Sequence, residues 1–184
     1  MNLHRLLSAP EKATGLDKPA DTIAAAVGRL VGDGRAADWL RGSWLGHPLH
    51  PILVTVPIGA WTSAAALRAA GRTDEARRLL LIGLLAFPPA AALGWADFKD
   101  LDAPQRRVGL VHALTNAAAA LLISAAWRAR DDRTATALGA AGLATAGAGG
   151  ALGGHLAYAL GAGVHRWQSA ATAPAFPATP VPLG

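Results

Sequence analysis

The sequence predicts an all-α integral membrane protein, a four-helix up-down-up-down bundle preceded by short amphipathic helices. Two observations set the class. Hydrophobic residues make up 52% of the 184 residues and charged residues only 16%, and the charges gather at the ends of long apolar runs instead of lining helix faces. Four such runs, joined by short polar connections, set the architecture.

The charge pattern narrows the class further. Seventeen Lys and Arg against twelve Asp and Glu leave a formal charge of +5. These bases punctuate the ends of apolar segments, as interfacial anchors do, and form no nucleic-acid footprint. Cysteine is absent, which removes disulfides, thiolate metal sites and Cys-ligated iron–sulfur clusters from this chain. Met1 to Pro10 is too polar and broken for the apolar core of a cleaved leader, so the N-terminus is expected to stay in place.

Residues 1–43 read as an interfacial preface. Leu3, Leu6 and Leu7, then Ile23, Val27, Leu30 and Val31, recur at helical spacing, which predicts short amphipathic helices on the membrane surface. Pro10, Gly15 and Pro19 are expected to break the first part, Asp21 to cap the second helix, and Gly32 to Gly34 to end it. The membrane domain follows over 44–164. Its first span is expected from Trp44 to Leu67, bent at Pro57, and its second from Leu79 to Trp95, distorted at Pro88-Pro89. The third, Val108 to Trp127, reads as the straightest. The fourth, Ala135 to Leu160, is rich in Gly and Ala, with Gly142, Ala146, Gly150 and Gly154 on one stripe that suits close helix packing or a homo-oligomer. Gly153-Gly154 beside His155 is expected to leave space for a flat ligand. Trp44, Trp61, Trp95 and Trp127 are mostly assigned to the interfacial belts. Residues 165–184 form a Pro/Ala-rich tail, expected to be extended.

Antiparallel spans bring scattered histidines to one end. His47 and His50 open the first span, Asp97 closes the second, His112 lies one turn into the third and His155 one turn before the end of the fourth. Asn116, one turn after His112 on the same face, can hydrogen-bond an imidazole or a cofactor edge. Three chemistries fit this layer. His50, His112 and His155, with His47 as an alternate and Asn116 beside them, can hold haem b through axial imidazoles. His47, His50, Asp97, His112 and His155 can instead hold Zn, Cu or non-haem Fe, with Asp97 as oxygen ligand or tautomer-fixing acceptor. The layer can also relay protons to a quinone. The remaining alternative needs no cofactor: a hydrogen-bonded cluster that ties the helices together. Hydrolase and kinase signatures are absent, and His4 and His165 fall outside the spans as ordinary surface residues.

The motifs carry a resemblance. Trp44-Leu45-Gly46-His47-Pro48-Leu49-His50-Pro51, Val56-Pro57-Ile58-Gly59, Gly94-Trp95-Ala96-Asp97, Arg106 to His112 with Asn116, and Gly153-Gly154-His155-Leu156-Ala157-Tyr158 resemble those of domain of unknown function 2231, an uncharacterised bacterial four-span membrane family. The resemblance covers about Trp44 to Val164 and implies a multi-pass protein of the bacterial inner membrane; the termini are expected to be cytoplasmic because no leader precedes them. Members often carry a Rieske iron–sulfur domain after the fourth span. This chain has no Cys-x-His pairs, so the resemblance implies a redox setting in which any iron–sulfur protein is a separate partner. The leading expectation is a membrane electron-transfer or redox-anchor subunit, and the rival is a non-catalytic assembly protein.

Overall fold

In a computed structural model, which describes residues 3–164, four helical segments of 21, 26, 26 and 28 residues are long and apolar enough to cross a membrane. At ~1.5 Å per residue even the shortest covers a ~30 Å hydrocarbon core. The first span is made of α4 (Leu49–Leu53) and α5 (Thr55–Ala69), the second is α6 (Thr73–Phe98), the third α7 (Ala103–Arg128), and the fourth α8 (Asp132–Gly154), prolonged by a π-helical turn, His155–Ala159. Connections at 70–72, 99–102 and 129–131 reverse the chain each time. Asp102 and Gln105 cap α7 reciprocally, and Asp131 caps α8 by accepting the Thr134 N–H at 2.8 Å.

The first span starts later than the apolar run alone suggests. Gly42 and Gly46 take left-handed conformations, with φ of 96° and 70°, and a side chain at Gly42 would collide with the His47 carbonyl. The chain therefore turns through Gly42 to His47, and Pro48, extended at ψ 131°, launches the helix at Leu49. Pro51 falls in the first helical turn, where no N–H is needed. The same reasoning applies to Pro19, which starts the N-terminal helix instead of breaking it. That helix, α2, runs Asp17–Val31 from Leu16 as its N-cap, so Asp21 lies inside it. The prolines Pro88 and Pro89 are carried within a continuous α6.

Small residues set the packing. A Cβ on Gly139, Gly142, Gly149 or Gly153 of α8 would meet Ala126, Ile123, Asn116 or His112 of α7 respectively. Steps down α7 match steps up α8, so the two helices run antiparallel in one fixed register. With buried Ala119 and Ala146 the seam alternates spacings of three and four residues, the left-handed packing pattern. The stripe expected from the sequence, at strict intervals of four, drifts about 40° per step around a 3.6-residue helix. That is why Gly150 and Gly154 leave the seam, where a Cβ on either would meet nothing within 4 Å, whereas Gly149 and Gly153 face α7.

The first hairpin repeats this register. A Cβ on Gly83 would collide with the Trp61 indole, and one on Gly94 would meet the His50 ring. Eleven residues separate His50 from Trp61, Gly83 from Gly94, His112 from Ile123 and Gly142 from Gly153. Pro57 and Ala64 are buried where the second hairpin buries Ala119 and Ala126, and Ala76 where it buries Ala135. The bundle is thus two copies of one helical hairpin, closed by contacts of α6 with α7 and of α5 with α8. Trp61, only 3% exposed, belongs to this core and not to an interfacial belt.

The N-terminal residues cap the bundle. Besides α2 they form α1 (Leu3–Ser8), two short 3-10 turns and α3 (Arg35–Arg41). Ala20 and Ala24 of α2 pack with Phe98, Leu101 and Leu110 in a second core, so this helix lies on protein and not only on lipid. Ion pairs fix it there. Arg107 grips both oxygens of Asp17 at 2.5 and 2.9 Å, Arg106 meets Asp21 at 2.8 Å, Lys99 meets Asp33, and Arg41 joins Asp38 to Asp100. The hydrogen bond from Arg107 holds the Asp17 carboxyl below the ordinary carboxylate range. The C-terminal tail expected at 165–184, with His165, lies outside the described residues.

The paired-imidazole site

His50 stands in the first turn of α4 because Pro48 starts the helix one residue before Leu49. Its ring lies over Gly94 of α6, where a Cβ would come within 2.9 Å of Cε1, and Nδ1 donates to the Ala90 carbonyl at 2.8 Å. His112, in the third turn of α7, repeats this on α8. Its ring lies over Gly153, where a Cβ would come within 2.8 Å of Cε1, and Nδ1 donates to the Gly149 carbonyl at 2.8 Å. In both hairpins the imidazole rests on a glycine and bonds the carbonyl four residues before it. A carbonyl only accepts, so both rings carry a proton on Nδ1.

The two rings meet across the hairpins, with centroids 6.3 Å apart and planes at 87°. Asn116 sits below His112. Its Nδ2 donates to the His112 backbone carbonyl at 2.8 Å and lies 3.3 and 3.4 Å from the two ring nitrogens. The amide therefore fixes one face of that imidazole. In the first hairpin Val54 holds the corresponding position, so the repeat is broken at this place.

The other candidates are placed as follows. His155 follows Gly153 by two residues, about 200° around the helix, and so turns away from His112. It is buried, and its Nε2–H donates to Glu11 at 2.7 Å, while its ring stands edge-on to His4 at 5.9 Å. His47 is on the exposed turn before α4. Asp97 lies in the last turn of α6, half-buried. Of the five residues expected as metal ligands, His50 and His112 bring their rings together, and among the described residues no group of three or more His, Asp and Glu is placed to hold a metal ion. Of the space expected at Gly153-Gly154 beside His155, the side of Gly153 is filled by the His112 ring, whereas a Cβ on Gly154 would meet nothing within 4 Å.

Motif reading misses the carbonyls of Ala90 and Gly149, which are parts of the site, and Glu11, which holds His155 outside it. The carbonyls are within reach of a sequence argument, since a His at the start of each odd span and a Gly at the end of each even one recur at matched spacing. Glu11 is not, being 144 residues from His155.

Comparison with known proteins agrees with this four-span architecture. A family model described as a predicted membrane protein, domain of unknown function 2231, matches residues 46–166. The chain belongs to that family. The matched region of this DUF2231 protein takes in both hairpins and both imidazoles, whereas the cap over 3–41 lies outside it. No curated protein and no solved structure matches the chain.

Proposed function

We propose that this DUF2231 protein is a membrane-embedded redox subunit in which His50 and His112 together ligate haem b. One observation carries the reading: both imidazoles give Nδ1–H to a backbone carbonyl, the arrangement that orients a metal-ligating histidine and raises its basicity. The chemistry of the donor set favours haem over a bare ion. A haem would bring its own four nitrogens and be held by the His50 and His112 imidazoles, whereas Zn takes three or four protein ligands and non-haem Fe adds a carboxylate. The two rings, with centroids 6.3 Å apart, are close enough for one group to reach both. Bound haem would supply one-electron chemistry. The chain's own part is to present two imidazoles oriented by the Ala90 and Gly149 carbonyls and to pack Asn116 against His112. A separate iron–sulfur protein of the Rieske type is a suitable electron partner, and the bacterial inner membrane with cytoplasmic termini a suitable setting.

Purified protein, reconstituted with haem if necessary, is expected to show a Soret band and one iron per chain, both lost in His50→Ala and in His112→Ala. Folded wild-type protein that takes up no haem refutes the proposal; stoichiometric Zn, Cu or non-haem Fe in its place assigns the site to a bare metal. The non-catalytic assembly reading draws support from the hydrogen bonds that both rings already make. Under it His112→Gln, which keeps a donor, retains fold and partner binding, with no spectrum to lose.

A further inference from the structure

At the end of the bundle opposite the imidazoles, Asp74, Arg77, Arg78 and Leu81 of α6 and Trp127 of α7 line a cavity of about 250 Å³. We propose that it binds the headgroup of an anionic glycerophospholipid. Trp127 ends the third span, where an indole marks the membrane–water boundary. The Arg77 guanidinium lies 5.8 Å and that of Arg128 5.6 Å from the centre of its ring, which holds the cations at headgroup depth.

The neighbouring charges at this end are already committed: Arg68 pairs with Asp132 at 3.1 Å and Arg72 with Glu75 at 2.7 Å. Arg77 and Arg78 form no ion pair within 4 Å among the described residues, although Arg78 also draws on the Glu75 carboxylate that Arg72 holds. Two guanidiniums against the single Asp74 carboxylate leave the cavity cationic. A phosphodiester accepts from both Arg side chains, and the hydroxyls of a glycerol headgroup donate to Asp74. Below the cavity, Ile82 and Leu85 are 50% and 69% exposed on the same helix and continue from Leu81 toward the membrane interior, giving an acyl chain an apolar track.

The hairpin repeat strengthens the assignment. In the register that superposes the two hairpins, the places of Arg77, Arg78 and Trp127 are taken by Thr136, Ala137 and Ala65. Neither the basic pair nor the indole is a by-product of the duplicated scaffold. The site is independent of the haem reading, since it lies at the other end of the bundle.

The test uses full-length delipidated protein in mild detergent, with thermal stability and native mass spectrometry as readouts. Phosphatidylglycerol is expected to raise the melting temperature and remain bound, and phosphatidylcholine to do neither. The variant R77Q/R78Q should bind phosphatidylglycerol roughly 30-fold more weakly, from about fivefold per basic side chain near an anionic surface. R130Q/R133Q, which removes equal charge from the same end outside the cavity, should bind as wild type. Equal loss in the two double variants shows diffuse charge attraction and overturns the proposal. So does equal stabilisation by phosphatidylcholine, or by inorganic phosphate without lipid. If R77Q/R78Q does not fold, R78Q alone should show about fivefold weaker binding by native mass spectrometry, and unchanged binding in that variant also overturns it.

Discussion

Replacing Gly153 by Ala tests the imidazole seat most directly. The new Cβ would stand 2.8 Å from His112 Cε1 and 3.1 Å from Nδ1, well inside ordinary contact, so the ring must retreat by over half an ångström. Its 2.8 Å bond to the Gly149 carbonyl would then stretch to the edge of hydrogen bonding. Overpacking a close-fitted interior costs about 1–3 kcal/mol, and a buried hydrogen bond left unmade about 1–3 kcal/mol. Against these, Ala gains about 1 kcal/mol over Gly in helix propensity. The losses win, and G153A is expected to be destabilised by about 1–5 kcal/mol. G150A is the control: nothing lies within 4 Å of its Cβ, so only the propensity gain remains and stability should hold or rise. Thermal unfolding in detergent, followed by size-exclusion fluorescence, reads the difference at about 2–4 °C per kcal/mol for a chain of this size. The repeat adds a second demand, that G94A behave like G153A, because its Cβ would meet His50 at 2.9 Å. If G153A melts with G150A, the seating of the imidazoles on glycine is refuted.

Because the chain has no cysteine, the register can be read by crosslinking: A119C/A146C should form a disulfide under mild oxidation, and A119C/G147C, with one residue turned off the seam, should not. Docking of the cap should depend on acid in a definite direction. Arg107 lowers the folded-state pKa of Asp17, so this ion pair is fully stabilising above the unfolded value of about 3.9 and is lost as pH falls through the lower folded value. Protease sensitivity of the residues before Gly42 should therefore stay constant from pH 7 to about pH 5 and rise only in stronger acid, and D17N should show the raised sensitivity at pH 7. Gly83→Val, which drives a branched side chain into the buried Trp61 ring, should prevent stable folding in detergent, measured as loss of the monodisperse elution peak.

How much of this is legible in the sequence depends on the range of the interactions. The four spans follow from composition alone, since an apolar run of such length has one stable solution in a bilayer. Pro48 and Gly46 also announce the start of the first helix, although hydropathy draws its boundary back to Trp44. An indole is amphipathic, which points Trp61 to a belt, yet its ring fills the gap that Gly83 leaves on the facing helix. Height in the bundle groups His155 with His112. Height ignores azimuth, and two residues of rotation separate His155 from the face that Gly153 presents. The cap reads as membrane-bound because its apolar residues recur at helical spacing; only tertiary structure shows that Ala20 and Ala24 use that face against Phe98 and Leu110.

The repeat links the histidines to one another more firmly than their shared height does. A single polar residue near a helix end is readily explained by local packing. Two at the same register position of two hairpins, each on a glycine and each bonded to the carbonyl four residues before it, share one cause. A duplicated hairpin in which His served only to tie its own two helices together would require nothing of the relation between the two rings. Here they meet edge-on with centroids 6.3 Å apart, across the boundary between the copies, where one ligand could reach both halves. The difference at Val54 and Asn116 follows the same logic. An exact twofold would bind a symmetric group in two equivalent ways, and one amide under His112 alone distinguishes the two sides. Asn116→Val makes the halves alike at this position. It should leave the fold and both Nδ1 bonds intact while changing the spectrum or affinity of whatever the imidazoles hold, whereas for a site that holds only helices together Asn116→Val and Val54→Asn should matter through stability alone.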